Sequence, residues 1–226
     1  MSRLAILFLM GAVPALAICL SLLGLETLHT NLLGWFLFLT GIVYAAGTVI
    51  VAHIRKERFW ESSRSDDTVR EEPGDRSFWF ITLGMMTAFY LSPLEYLYFD
   101  AFLPGAAWME SCCVGLVVFG CVLFVLARRA LGVNYSGHVS VKKGQELVQI
   151  GPYRVIRHPA YAGYLLIALG LALGYASLAG LVSILLVLLP AVVYRIHLED
   201  RLLAEYFGAQ FVEYARKTKR LIPGIW

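Results

Sequence analysis

The chain alternates between long apolar runs and short polar intervals. Apolar residues dominate 4–24, 32–53, 77–98, 107–127, 160–175 and 177–195, and most charged residues fall between those runs. A helix rises about 1.5 Å per residue, so about 20 apolar residues cover the hydrocarbon of a bilayer. The first four runs reach that length. The last two are shorter and are separated by Gly174-Tyr175-Ala176-Ser177. The pattern predicts an all-α, polytopic helical membrane protein with about five to six transmembrane helices. The stretch 160–195 then forms either two crossings or one tight hairpin. The run from Leu4 to Gly24 is too long for a secretory h-region and has no small-x-small site close behind it, so it reads as a retained span. Loops are expected at 25–31, 54–76, 99–106 and 128–159, with a polar tail over 196–226.

Composition agrees with this division. The 226 residues are 59% hydrophobic and 15% charged, more apolar surface than a soluble domain of this length can hide. The 19 Lys and Arg residues are Arg3 and members of three clusters, at 55–76, 128–157 and 195–220. With six crossings all of these fall on one side, while Glu26, Glu95 and Asp100 face the other. The positive-inside rule places both termini and the 151–163 stretch in the cytoplasm. The spans hold no buried Asp, Glu, Lys or Arg, which argues against an ion-coupled transporter. The segment 61-ESSRSDDTVREEPGDR-76 reads as a flexible cytoplasmic loop without a role of its own. Cys19, Cys112, Cys113 and Cys121 lie in apolar runs without metal-ligand spacing and read as small buried hydrophobes.

Polar and aromatic chemistry gathers in two places on the basic side. The first is 151-GPYRVIRHPAYAG-163. Proline is favoured at the first position of a helix, so His158-Pro159 predicts a helix starting there and running into the apolar stretch. Helix N-termini favour anions, Arg154 and Arg157 add charge, and Tyr153 and Tyr161 add rings and hydroxyls. The residues fit a pocket for an anionic, partly aromatic molecule, and equally an interfacial arginine–tyrosine belt. The second place begins at Arg195 and Glu199, which share one helix face at i, i+4. Glu199-Asp200 offers two carboxylates for an ammonium or sulfonium cation, or forms an ordinary solvated helix end. Leu198, Leu202, Leu203, Tyr206 and Phe207 then give an amphipathic stripe suited to an interface.

Gln145-Glu146-Leu147-Val148, Gly151-Pro152-Tyr153, Arg157-His158-Pro159, Tyr161 and Gly163 together resemble the signature of the isoprenylcysteine carboxyl methyltransferase family. So do Glu199-Asp200, Phe207-Gly208 and Thr218-Lys219-Arg220-Leu221-Ile222-Pro223. That family is similar to the phospholipid N-methyltransferases. The likeness covers 128–226; residues 1–127 match only as hydrophobic spans with the loop 54–76. It implies an integral membrane enzyme that uses S-adenosylmethionine bound in a small cytosolic cap. Gln145, Leu147, Val148, Gly151, Tyr153, Arg157, His158, Tyr161 and Glu199 would surround that cofactor, Glu199 at its amino group; apart from the resemblance, Arg195 and Glu199 are the residues expected to carry the reaction. Gln145 stands where the family often has His, and Asp200 where it often has Glu. Gln can hydrogen-bond but cannot carry a proton.

The chemistry of the acceptor divides the possibilities. A carboxylate is already ionised at neutral pH and needs only alignment and exclusion of water. Arg195 is suited to orient it. A lipid amine must first lose a proton to a base, and only His158, Tyr161 and Glu199 are available. The expected acceptor is therefore lipophilic and carboxylic, such as a prenylcysteine α-carboxyl group, entering from the bilayer. A phosphatidylethanolamine N-methyltransferase is the second reading. A nicotinamide-dependent membrane reductase, which some sterol reductases suggest through a related Arg-His-Pro region, is a third, and a non-catalytic scaffold a fourth. No nucleic-acid or metal partner is expected.

Overall fold

The computed structural model describes residues 68–71, 75–99, 107–134 and 139–226. The spans expected at 4–24 and 32–53 lie outside the described residues. The chain divides into two compact units, and the candidate site with its supporting helices lies within the unit formed by 66–96 and 101–226. Strand β1 (Thr68–Glu71) precedes helix α1 (Ser77–Met86), and a π-helical turn (Thr87–Leu91) joins α1 to α2 (Ser92–Tyr98). Helix α3 (Ala107–Leu131) is followed by strand β2 (Ser140–Lys142), a short 3-10 turn (Gly151–Arg154) and helix α4 (Pro159–Gly174). Helix α5 (Leu178–Ser183) passes through a second π-helical turn (Ile184–Leu188) into α6 (Leu189–Phe207), and α7 (Ala209–Lys217) closes the order.

Among the described residues, three helical stretches are long and apolar enough to cross a membrane: Ser77–Tyr96, Ser111–Leu131 and Leu178–Phe207. These correspond to three of the expected spans, and α4 is the shorter apolar helix expected at 160–175. The last expected span ends too early at 195. The helix continues to Phe207 because its buried stripe persists through Leu198 and Leu202, four residues apart on one face. It stops at Gly208, whose φ of +54° is a conformation glycine adopts without strain.

Helices α3 and α4 form the most extensive helix pair among the described elements. A Cβ on Gly163 would lie 2.8 Å from the Gly120 carbonyl oxygen, and one on Gly170 would lie 2.9 Å from that of Cys113. The glycines therefore let two backbones touch, as small residues do between membrane helices. Beside this pair, Ile81, Ala168, Ala172, Leu188, Val192 and Ile196 build the main buried cluster. Phe80, Leu83, Phe119, Val122, Leu185 and Leu186 are exposed and face outward where lipid would cover them. The hydroxyls of Thr87 and Ser183 meet beside the two π-helical turns.

Two expectations need correction. Charged groups do occur inside the helices: Arg195 and Asp200 are buried in the Leu178–Phe207 stretch. Glu95 in α2 accepts hydrogen bonds from the Ser177 hydroxyl and, at 3.0 Å, from the Ala179 amide. Each is partnered, which is the condition for burying a charge at tolerable cost. The segment 61–76 is not wholly without structure either. Its β1 pairs antiparallel with β2, with Glu71 opposite Ser140 and Thr68 opposite Lys142. Behind this small ribbon, Val139 and Val141 pack on Leu198 and Leu202 of α6. Polar composition hid the strand because its partner lies about seventy residues further along the chain, beyond any local pattern.

Candidate active site

The site forms where the start of α4 meets the later half of α6. Pro159 is the first residue of α4, as its fixed φ favours. The stretch before it lies alongside the tail after α7. The Arg157 amide donates to the Lys219 carbonyl at 2.7 Å, and the His158 amide to that of Arg220 at 3.0 Å. This short parallel contact holds the Arg-His-Pro backbone in place and turns the His158 side chain inward, where it is 3% exposed.

The two adjacent carboxylates of α6 have different surroundings. Asp200 is a buried hub. Its Oδ1 lies 2.9 Å from His158 Nε2, and its Oδ2 accepts from Arg220 Nε at 2.9 Å and from Arg157 Nη2 at 3.4 Å. A carboxylate can only accept, so Nε2 is the His158 nitrogen that carries hydrogen here. Glu199 is the more open of the pair, its side chain 33% exposed against 11% for Asp200. Its Oε2 accepts from the Tyr161 hydroxyl at 2.8 Å and lies 3.7 Å from His158 Nδ1. The rings of His158 and Tyr161 stack with centroids 5.7 Å apart.

Arg195 lies behind Tyr161. Its Nε donates to the Tyr161 oxygen at 2.8 Å, and its Nη1 donates to Asp75 Oδ2 at 3.1 Å and to Ser77 Oγ at 3.2 Å. The second oxygen of Asp75 accepts from the Ser77 amide at 2.8 Å at the start of α1. A continuous polar chain thus runs Asp75–Arg195–Tyr161–Glu199.

The remaining expected residues divide between this cluster and its supports. Arg157 is turned to the tail, its Nη1 donating to the carbonyls of Ala215 and Thr218 at 2.9 and 2.8 Å. Tyr153 is buried and its carbonyl accepts from the Tyr214 hydroxyl at 2.8 Å. Burial pushes that Tyr214 hydroxyl up to about 12, so it stays a donor at any working pH. Gln145 Oε1 accepts from the Lys142 amide at 3.0 Å and closes the turn after β2. Leu147 and Val148 are half-buried on the segment that leads to Gly151, whose φ is +59°.

His158, Tyr161, Arg195 and Glu199 were all expected, and the fold brings them together. Asp75, Asp200 as a hub, and Arg220 were missed as site members. Pro-Gly-Asp ahead of an apolar run is a helix-start signal, which could have drawn attention to Asp75. Its pairing with Arg195, on a helix far along the chain, has no local signature. The arrangement is an open carboxylate, an oriented phenol and a buried guanidinium at the end of an apolar helix pair. It suits a cationic ligand group on one side and an anionic one near the arginine.

Known proteins resemble this chain in sequence and in fold. Residues 109–210 match the family model described as phospholipid methyltransferase. The chain is 26% identical over 141 residues to Protein-S-isoprenylcysteine O-methyltransferase B of Arabidopsis thaliana, covering 60% of this chain and 72% of that one. It is 37% identical over 118 residues to the cobalt-zinc-cadmium resistance protein CzcN of Cupriavidus metallidurans, about half of each chain (51% and 51%). Among solved structures, that of a eukaryotic intramembrane Ras methyltransferase, isoprenylcysteine carboxyl methyltransferase, superposes with a TM-score of 0.63 at 20% identity. The superposition covers 96% of this chain and 75% of that one. Fold and relatives together define an integral membrane enzyme of methyl transfer, a class that requires a methyl donor. Within that class, the chain is similar in sequence and in fold to the isoprenylcysteine methyltransferases.

Proposed function

We propose that the protein transfers the methyl group of S-adenosylmethionine to the carboxylate of a lipophilic acceptor, a prenylcysteine-type α-carboxyl group being the best fit. The observation that carries this reading is the contrast between the two carboxylates. Asp200 is spent on three partners, whereas Glu199 is a third exposed and held in one orientation by Tyr161. A fixed, open carboxylate suits the ammonium or sulfonium end of such a donor. When bound, S-adenosylmethionine supplies an electrophilic methyl. Residues 128–226 form the methyltransferase core in this reading. Gln145, Leu147, Val148, Gly151, Tyr153, Arg157, His158 and Tyr161 shape the donor side, and 1–127 supplies further spans and the loop 54–76. The active site and both termini face the cytoplasm, following the distribution of basic residues.

No base is needed for a carboxylate. Glu199 positions the donor, Arg195 orients the acceptor's charge, and the buried start of α4 excludes water. Methylation of phosphatidylethanolamine is the second reading, favoured by the description of the matching family model. It requires a base; two of the three candidates are otherwise engaged, and the third, Glu199, is given to the donor in the present reading. His158 presents its protonated nitrogen to Asp200 and is almost fully buried, and Tyr161 donates to Glu199. The discriminating experiment uses purified protein in nanodiscs with methyl-labelled S-adenosylmethionine, offering a prenylcysteine analogue and phosphatidylethanolamine separately. Label is expected in the first; label in the second alone would reverse the assignment. Competition of donor binding by a reduced nicotinamide would favour a reductase instead.

A further inference from the structure

We infer that Asp75, outside the family signature and in a segment whose composition assigns it no role, is a positioning residue for this site. The inference rests on the reading of Glu199 and Arg195 as the reaction-facing pair. Asp75 and Arg195 form a salt bridge of 3.1 Å with side chains only 4% and 6% exposed. Asp75 is held in turn by the Ser77 amide, so its carboxylate is fixed to the first turn of α1. The same guanidinium grips Tyr161 through Nε, and Tyr161 grips Glu199. Each link is a charge-assisted or buried hydrogen bond, the kind that strengthens its neighbours. Remove the Asp75 charge and Arg195 is left buried with less compensation, free to turn toward Glu199 or Glu199's ligand. The Tyr161 hydroxyl then loses its fixed direction.

The arrangement gives the first basic interval a purpose. Strand β1 pairs with β2, and Asp75 follows a few residues later. The segment is therefore anchored at the ribbon and at Arg195, and the site is complete only when both ends of this unit are in place.

The test measures binding of S-adenosylhomocysteine and initial methylation rates for wild type, D75N, D75E, Y161F and the D75N/Y161F double variant. D75N keeps the shape and the bond to the Ser77 amide while removing the charge. It is expected to weaken S-adenosylhomocysteine binding about tenfold, as losing a group one contact away from a site commonly does. D75E, which restores the charge, recovers part of that loss. The double variant should be no worse than about threefold beyond the worse single, because both changes cut one chain and contacting residues are not additive. Losses that multiply, or D75N binding like wild type, overturn the inference. If D75N lowers the folded yield, a D75E/Y161F double variant on correctly sized protein replaces it. Non-additive losses are again expected there, and multiplying losses again overturn the inference. Wild-type protein that fails to bind S-adenosylhomocysteine overturns the functional reading as a whole, whereas binding that D75N leaves unchanged overturns only the role of Asp75.

Discussion

His158 Nε2 lies 2.9 Å from Asp200 Oδ1, with both side chains buried and the second Asp200 oxygen shared by Arg157 and Arg220. One carboxylate therefore ties the start of α4 and the C-terminal tail to α6. Asp200→Ala removes the carboxylate that His158, Arg157 and Arg220 share, and breaking a buried pair from one side costs about 3 kcal/mol or more. Asp200→Asn keeps the hydrogen-bonding shape and should cost less. Thermal unfolding of both variants in detergent measures the order, with Ala well below Asn and Asn below wild type.

Glu199 predicts the opposite profile. Its side chain is a third exposed and it makes one close bond, from Tyr161. Glu199→Gln should barely move thermal stability yet weaken donor binding by about tenfold or more, the loss expected when a charge facing a cation is removed. Equilibrium dialysis with labelled S-adenosylmethionine reads the second effect, and the Asp200 variants provide the contrast.

The α3–α4 contact depends on absent side chains. A Cβ at Gly163 would come within 2.8 Å of the Gly120 carbonyl, whereas one at Gly115 on α3 meets nothing within 4 Å. Gly163→Ala should therefore force the helices apart at an overpacking cost of about 1–3 kcal/mol. Gly115→Ala should be neutral or slightly stabilising, since Ala is the better helix former. The folded fraction after heating, compared for the two variants, checks the difference.

Tyr214 gives a prediction in pH. Burial raises its hydroxyl to about 12 in the folded chain, above the ordinary tyrosine value of about 10. A group whose folded value is raised contributes fully below the unfolded value. That contribution is lost as pH climbs from about 10 to about 12. The bond from Tyr214 to the Tyr153 carbonyl should persist through that window while stability declines. Tyr214→Phe should lower stability at neutral pH and flatten the alkaline slope, as unfolding followed across that range would show.

Much of this was legible in the chain itself. The apolar runs at 77–98, 107–127 and 160–175 are helices, and His158-Pro159 starts one of them, because burial and proline geometry act locally. His158, Tyr161 and Glu199 were legible through their motif and Arg195 through its spacing from Glu199, and the fold brings the four side chains together. What was not legible depends on distance along the chain. Asp75 gains its meaning from Arg195, β1 from β2, and Arg220 from Asp200, and in each case the partner lies where no periodicity points. The end of α6 was missed for a related reason: charges at Arg195 and Asp200 look like a membrane exit until their buried partners are known.

The most direct test concerns the bond in which the transferred methyl ends. After incubation with methyl-labelled S-adenosylmethionine and a prenylcysteine analogue, the product is treated with alkali. Label released as volatile methanol is the predicted result, since only a methyl ester is cleaved in this way. Label that stays with the lipid product through alkali would contradict the carboxylate reading and require a base at Glu199, His158 or Tyr161.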